Sequence, residues 1–346
     1  MSRLLVLSLA SAIIAVPCFF VIAEEVEVEV LLEGLQNPSG VAVQPKTGHV
    51  FVSDSAAQKI IRFNPEKGES EDCITGFPLD EYGPGPKYEI GPLGLAFTAD
   101  GKYLVVGGGG RPDGEELVYL FEAAQADESL TVDDAAFKLG PIPKSDKTES
   151  GEGNFYAVAT TENAIYVTCN GDDAKGWVAR APIKDGKPGE LAPFIATKEE
   201  VEVDAPVGIC ISPRGEVVVG QMGEISEPGD SLLTFYSAES GRLLLNLPTG
   251  LHDIGALAYS PKSPHLLYAL DFSWAEPADG GLYRLDAALE NGKPAVKSTL
   301  MTQLDKPAAM AFSDDGVLYV AVYGAADEEG KLNGKLLRIT GKKLDE

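Results

Sequence analysis

Apolar residues in this chain come in short alternating runs, and the runs come in sets. A strand-like segment leads into a tight polar turn and then into a second apolar segment. The unit occurs six times: PSGVAVQPKTGHVFV (38–52), PLGLAFTADGKYLVV (92–106), NFYAVATTENAIYVTC (154–169), PVGICISPRGEVVVG (206–220), DIGALAYSPKSPHLLYAL (253–270) and PAAMAFSDDGVLYVAV (307–322). The middle residues of the first segments, Ala42, Ala96, Val158, Cys210, Ala258 and Ala311, are 48 to 62 residues apart. That interval is long for a solenoid repeat and close to a propeller blade, about 40–50 residues.

Each unit continues into a third alternating segment, at 59–65, 116–123, 176–183, 231–238, 281–288 and 335–342. Half-buried strands alternate in this way. Asp100-Gly101, Arg214-Gly215 and Asp315-Gly316 supply the glycine that tight hairpin turns need for a positive φ. A fourth, more polar segment follows, as at 244–248 and 298–304. Four strands in each of six units predict an all-β fold, a six-bladed β-propeller with four-stranded blades. The last unit runs out of chain after its third strand, while VEVEVLLEG (26–34) stands in front of the first. This N-terminal strand is predicted to pair into the last blade and close the ring. Its Val26, Val28 and Val30 should pack, with Glu27 and Glu29 in water. No long helical periodicity competes with this reading.

Residues 1–23 read as an export signal. Arg3 gives a positive start, Leu4 to Ile22 are mostly apolar, and Val21-Ile22-Ala23 suits cleavage near Ala23. Residues 24–346 then form one propeller domain in a periplasmic or extracellular setting. An uncleaved anchor is the alternative, because the apolar run approaches membrane-spanning length. The 346 residues hold 53 acidic and 28 basic side chains, a formal net charge of −25. Such a charge disfavours nucleic acid and anionic membrane surfaces. The expected partner is a small polar ligand or a protein, with no stable membrane association once the signal is removed. Beyond the signal lie Cys73, Cys169 and Cys210. An odd number cannot all pair internally, and no CxxC motif indicates a zinc ribbon or haem attachment.

In a propeller, the loops entering the innermost strands and those joining second to third strands meet on one face, around the channel mouth. His49 and His265 fall in hairpin turns on the opposite face, whereas His252 and Asp253 precede the innermost strand of blade five. Asp54, Asn170, Gln221, Asp271 and Tyr323 end second strands, with Arg111 slightly further into its loop. Asn37, Asn154, Tyr156 and Asp204 stand at strand entries, and Trp274 offers a stacking surface. The candidate ligand site is therefore Asp54, Arg111, Asn154, Tyr156, Asn170, Gln221, His252, Asp253, Asp271, Trp274 and Tyr323. Oxygen-rich rings suit Ca²⁺ or a polar ligand such as a sugar or lactone. The oxygen ligands for a metal would come from Asp54, Asn154, Asn170, Asp253 and Asp271. Equally, residues of this type cap strand ends and satisfy turn backbone groups. The run Gly107–Gly110 follows a strand but lacks the Lys-Ser/Thr and the helix start of a phosphate cradle.

The units at 34–65 (GLQNPSGVAVQPKTGHVFVSDSAAQKIIRFNP) and 304–322 (LDKPAAMAFSDDGVLYVAV) resemble NHL-type repeats. They also resemble the wider group of six-bladed propellers that includes the SMP-30/gluconolactonase/strictosidine synthase-like proteins. The resemblance spans 26–342. For gluconolactonase-like enzymes it implies Ca²⁺ or another divalent cation, held by a Glu near the first innermost strand and by an Asn and an Asp at later entries. Asn154 stands for the Asn. The first entry here is Asn37-Pro38-Ser39-Gly40, and blade five opens Gly255-Ala256-Leu257-Ala258. The sequence thus supports an exported acidic propeller that binds a ligand at its channel mouth, with a metal-dependent hydrolase of lactones or sugar-derived substrates as the alternative.

Overall fold

The computed structural model describes residues 26–83, 87–125, 129–171, 175–325 and 333–345. The expected export signal lies outside these residues. Six small sheets, antiparallel except where the short strand Leu130–Thr131 adds to blade one in parallel, stand in sequence around a channel. From the channel outward, blade one is Pro38–Val43, Val50–Asp54, Lys59–Asn64 and Glu69–Thr75. Blade two is Pro92–Phe97, Tyr103–Gly108, Val118–Glu122 and Phe137–Leu139. Blade three is Phe155–Thr160, Ala164–Cys169, Trp177–Lys184 and Ala192–Ala196. Blade four is Pro206–Ile211, Val217–Gln221, Leu232–Tyr236 and Leu243–Pro248. Blade five is Ile254–Tyr259, Leu267–Asp271, Gly281–Glu290 and Lys293–Gln303. Blade six is Pro307–Phe312, Leu318–Val322 and Gly334–Thr340, with the N-terminal strand Glu27–Leu35 at its outer edge. The turn glycines Gly101, Gly215 and Gly316 have φ of 70°, 83° and 82°, as the hairpins require.

The core is divided into six parts, one in each gap between blades. Phe51 and Ile60 of blade one meet Leu104 and Tyr119 of blade two. Tyr166 and Val178 of blade three meet Val219 and Tyr236 of blade four. Ala321 and Leu336 of blade six meet Val41 and Val52 of blade one, which completes the ring. Both faces of each blade are thereby buried, and the second strands read as almost continuous apolar runs for that reason. Cys73 belongs to the gap between blades one and two, Cys169 to the next, and Cys210 to that between blades four and five. All three thiols are free.

The closing strand pairs antiparallel with Gly334–Thr340, and Glu33–Lys335 (3.0 Å) and Glu29–Arg338 ion pairs tie the two together. Val28 and Val30 lie opposite the buried Ile339 and Leu337, on the face the alternation predicts, yet each is 43% exposed instead of packed. The strand is outermost in its blade, and its pairing shifts between Val30 and Leu32. Leu31, Leu32 and Leu35, after the shift begins, do the packing. Val28 and Val30 precede the shift, so their place on the outermost strand, not the bulge, leaves them exposed.

Among the described residues, helix is confined to Thr197–Val201 and short 3₁₀ turns, and no helix is long and apolar enough to cross a membrane. The long loop 77–91 contains a small antiparallel hairpin, Asp80–Tyr82 with Tyr88–Ile90. This hairpin sets the character of the channel mouth.

Candidate functional site: the channel mouth

The mouth is built of aromatic rings. Tyr88 comes from the hairpin, Phe272 and Trp274 from the loop after the second strand of blade five, and Tyr323 from the end of the second strand of blade six. They form a closed cycle of contacts. Ring centroids are 5.1 Å apart for Tyr88–Trp274, 5.4 Å for Phe272–Trp274, 5.3 Å for Phe272–Tyr323 and 5.2 Å for Tyr88–Tyr323. Most of these pairs meet edge to face, the arrangement that ring quadrupoles favour. The Tyr323 hydroxyl bonds the Ser39 hydroxyl at 2.7 Å, and burial pushes its pKa up to about 12.

Beneath and beside this cycle is a cavity of 40 Å³, lined also by Tyr82, Asn154, Tyr156, Asn170 and Met222. A space of that size holds a few waters. Asn170 donates from Nδ2 to the Tyr82 hydroxyl at 2.9 Å. On the other side of the hairpin, Asn37 donates to the Glu89 carbonyl at 2.9 Å. The Tyr156 hydroxyl is pushed well above its ordinary range by burial. Among the described residues, no ionisable group other than tyrosine lines this cavity.

Of the predicted site residues, Asn154, Tyr156, Asn170, Trp274 and Tyr323 come together here. The others stand apart from the cavity and are engaged elsewhere. Asp54 accepts the Gln36 N–H at 2.5 Å. Asp271 is buried and accepts three backbone N–H groups, from His252 (2.9 Å), Asp253 (2.8 Å) and Ser273 (3.1 Å). Asp253 accepts the Trp274 N–H at 2.5 Å, and burial raises its carboxyl to about 6. The His252 ring lies 3.4 Å from the Asp279 carboxylate. Gln221 is buried and reaches Thr234 at 3.5 Å. Arg111 is exposed, and its backbone N–H bonds Glu116 at 2.6 Å.

Among the described residues, no group of three or more His, Cys, Asp or Glu side chains is placed to hold a metal ion. The carboxylates of Asp54, Asp253 and Asp271 are turned to backbone N–H groups, which leaves two amides at the cavity. Divalent Ca²⁺ needs six to eight oxygens with carboxylates among them. This donor set does not fit such an ion. Tyr82, Tyr88 and Phe272 escaped the sequence reading. Tyr82 and Tyr88 flank Gly83-Pro84-Gly85-Pro86, a turn signal between two aromatic positions that would have marked the hairpin.

No family model matches the chain, and no curated protein matches it. Solved structures do. The chain is similar to a gluconolactonase from Xanthomonas campestris at 14% identity and a TM-score of 0.60, over 91% of this chain and 89% of that one. A PQQ-bound aldose sugar dehydrogenase from Streptomyces coelicolor gives 15% and 0.57 over 92% and 99%. A second gluconolactonase-like structure gives 13% and 0.57 over 92% and 94%. At these identities the likeness shows the fold alone, a six-bladed β-propeller.

Proposed function

We propose that this propeller is a binding module whose channel mouth takes a small, neutral, ring-shaped polar ligand of the sugar or sugar-lactone class. One observation carries the reading: Asn154, Asn170 and the Tyr82 hydroxyl converge on an aromatic floor that has no charged side chain among the described residues. Apolar walls with a few placed polar groups are the usual make-up of a small-molecule site. The sugar-related names of the structural neighbours support the ligand class. The apolar stretch from Leu4 to Ile22 supports an exported setting for it. Titration calorimetry with glucose and with its 1,5-lactone tests the reading. Saturable heat with either ligand, weakened at least about fivefold in Asn170→Ala, is expected, since losing a hydrogen bond to a buried partner costs about 1–3 kcal/mol. No heat with either ligand would overturn it.

Hydrolysis of such a lactone at the same mouth is the second reading, favoured by the structural likeness to gluconolactonases. Because the described donors do not fit a divalent ion, chelator and excess Ca²⁺ should give the same melting temperature. A bound ion would separate the two by several degrees, since a ligand held only by the native state stabilises it.

A further inference from the structure

Blade five is longer than its neighbour. Its third and fourth strands, Gly281–Glu290 and Lys293–Gln303, have 10 and 11 residues, while those of blade four, Leu232–Tyr236 and Leu243–Pro248, have 5 and 6. The inner half of this hairpin is covered: Tyr283 and Leu285 join Phe235, Leu245 and Leu247 in the gap between the two blades. The outer half runs on for about 15 Å past blade four, on the face away from the mouth. Its apolar pattern runs on with it. Ala287 and Leu289 follow Leu285 at two-residue steps, with Val296 and Pro294 opposite them. One apolar face therefore continues beyond the blade that covers it. Among the described residues, Leu289 is 77% exposed, against 45% or less for the other exposed large apolar side chains. Beside it lies a groove of 720 Å³, walled by Leu289 and Pro294 on one side and by Pro213, Arg214, Phe235 and Leu244 of blade four on the other.

The tip of the hairpin is a firm projection. Asn291 and Gly292 turn the chain with φ of 50° and 76°, the paired positive values of a two-residue hairpin loop. Exposed Glu290 and Lys293 flank that turn, and exposed Arg214 stands on the blade-four wall. Charge also separates the two ends of the propeller. The six loops from second to third strands, around the mouth, hold thirteen acidic and three basic residues. The six turns from first to second strands, on the groove's face, hold five and four. A basic partner is drawn to the mouth end, whereas two copies of so acidic a chain repel least where the signs balance.

We propose that this groove takes a second copy of the chain. Knob and groove lie side by side on one molecule. A two-fold axis beside the hairpin therefore seats each Leu289 in the other copy's groove, with each Glu290 toward the other copy's Arg214. Such an isologous contact closes at two copies. Both mouths point away from it, so the inference is independent of what the mouth binds.

Sedimentation velocity of the whole protein, diluted from about 100 µM to about 1 µM, is the test. The protein should run as a dimer at the top of that range. Leu289→Asp should raise the dissociation constant at least about a hundredfold, because a two-fold contact buries that side chain twice. The far-UV circular dichroism of this variant should match the wild type, since the side chain faces solvent in a single copy. Arg214→Glu sets like charges against each other and should weaken the dimer at least about fivefold. A monomer throughout, a dimer as tight in either variant as in the wild type, or particles that grow past two copies would each overturn the proposal. Pelleting of monomers with phosphatidylcholine vesicles, lost in Leu289→Asp, would give the groove to a lipid surface instead.

Discussion

Blade five and blade three place similar polar residues at the same corner of the repeat, and the two corners do different things. In blade five, Asp271 ends the second strand and is buried with three backbone N–H groups on its carboxylate. In blade three, Asn170 follows the second strand and donates outward to Tyr82 of the hairpin. Asp54 in blade one behaves as Asp271 does and holds Gln36. A carboxylate can only accept, and the entry loop beside it offers N–H donors. An amide also donates, as Asn170 does to the Tyr82 hydroxyl. At this mouth, Asp54 and Asp271 hold the frame, while Asn154 and Asn170 face the cavity.

The largest test of that contrast is Asp271→Ala. It leaves three buried N–H groups without an acceptor and should cost about 4 kcal/mol in denaturant unfolding, given roughly 1–3 kcal/mol per unsatisfied group. A loss below about 1 kcal/mol would mean that the frame does not depend on this carboxylate. Next in size is pH. Burial raises Glu116 to about 7 and Asp253 to about 6. In the unfolded chain these groups lose their protons at ordinary carboxylate values, so between there and pH 7 the folded state holds more protons. Stability is therefore greatest below that window and falls as pH rises through it, by about 2 kcal/mol or more. Glu116→Gln should flatten much of the slope measured between pH 5 and 7.5. The smallest effect belongs to Asn170→Ala, about 1 kcal/mol, since it frees one hydroxyl partner at a partly open cavity. A cost equal to that of Asp271→Ala would erase the distinction between frame and site.

The repeat, the strand positions and the ring closure were legible in the sequence, because each is a local alternation of apolar and polar residues with glycine at the turns. The exposure of Val28 and Val30 was not, since it depends on their strand's place at the outer edge of a blade whose other strands lie some 300 residues away in the chain. Asn154, Tyr156, Asn170, Trp274 and Tyr323 were found because blade topology assigns strand ends to a face. Phe272 was missed because it differs from a core residue only by where its loop turns.

Sequence alone determined six blades, their order and which loops share the mouth, through a period that any one repeat displays. Tertiary structure alone decided that the mouth is aromatic and that its aspartates turn to backbone. Those outcomes depend on which groups from distant repeats meet at van der Waals distance, and no local period encodes such a meeting.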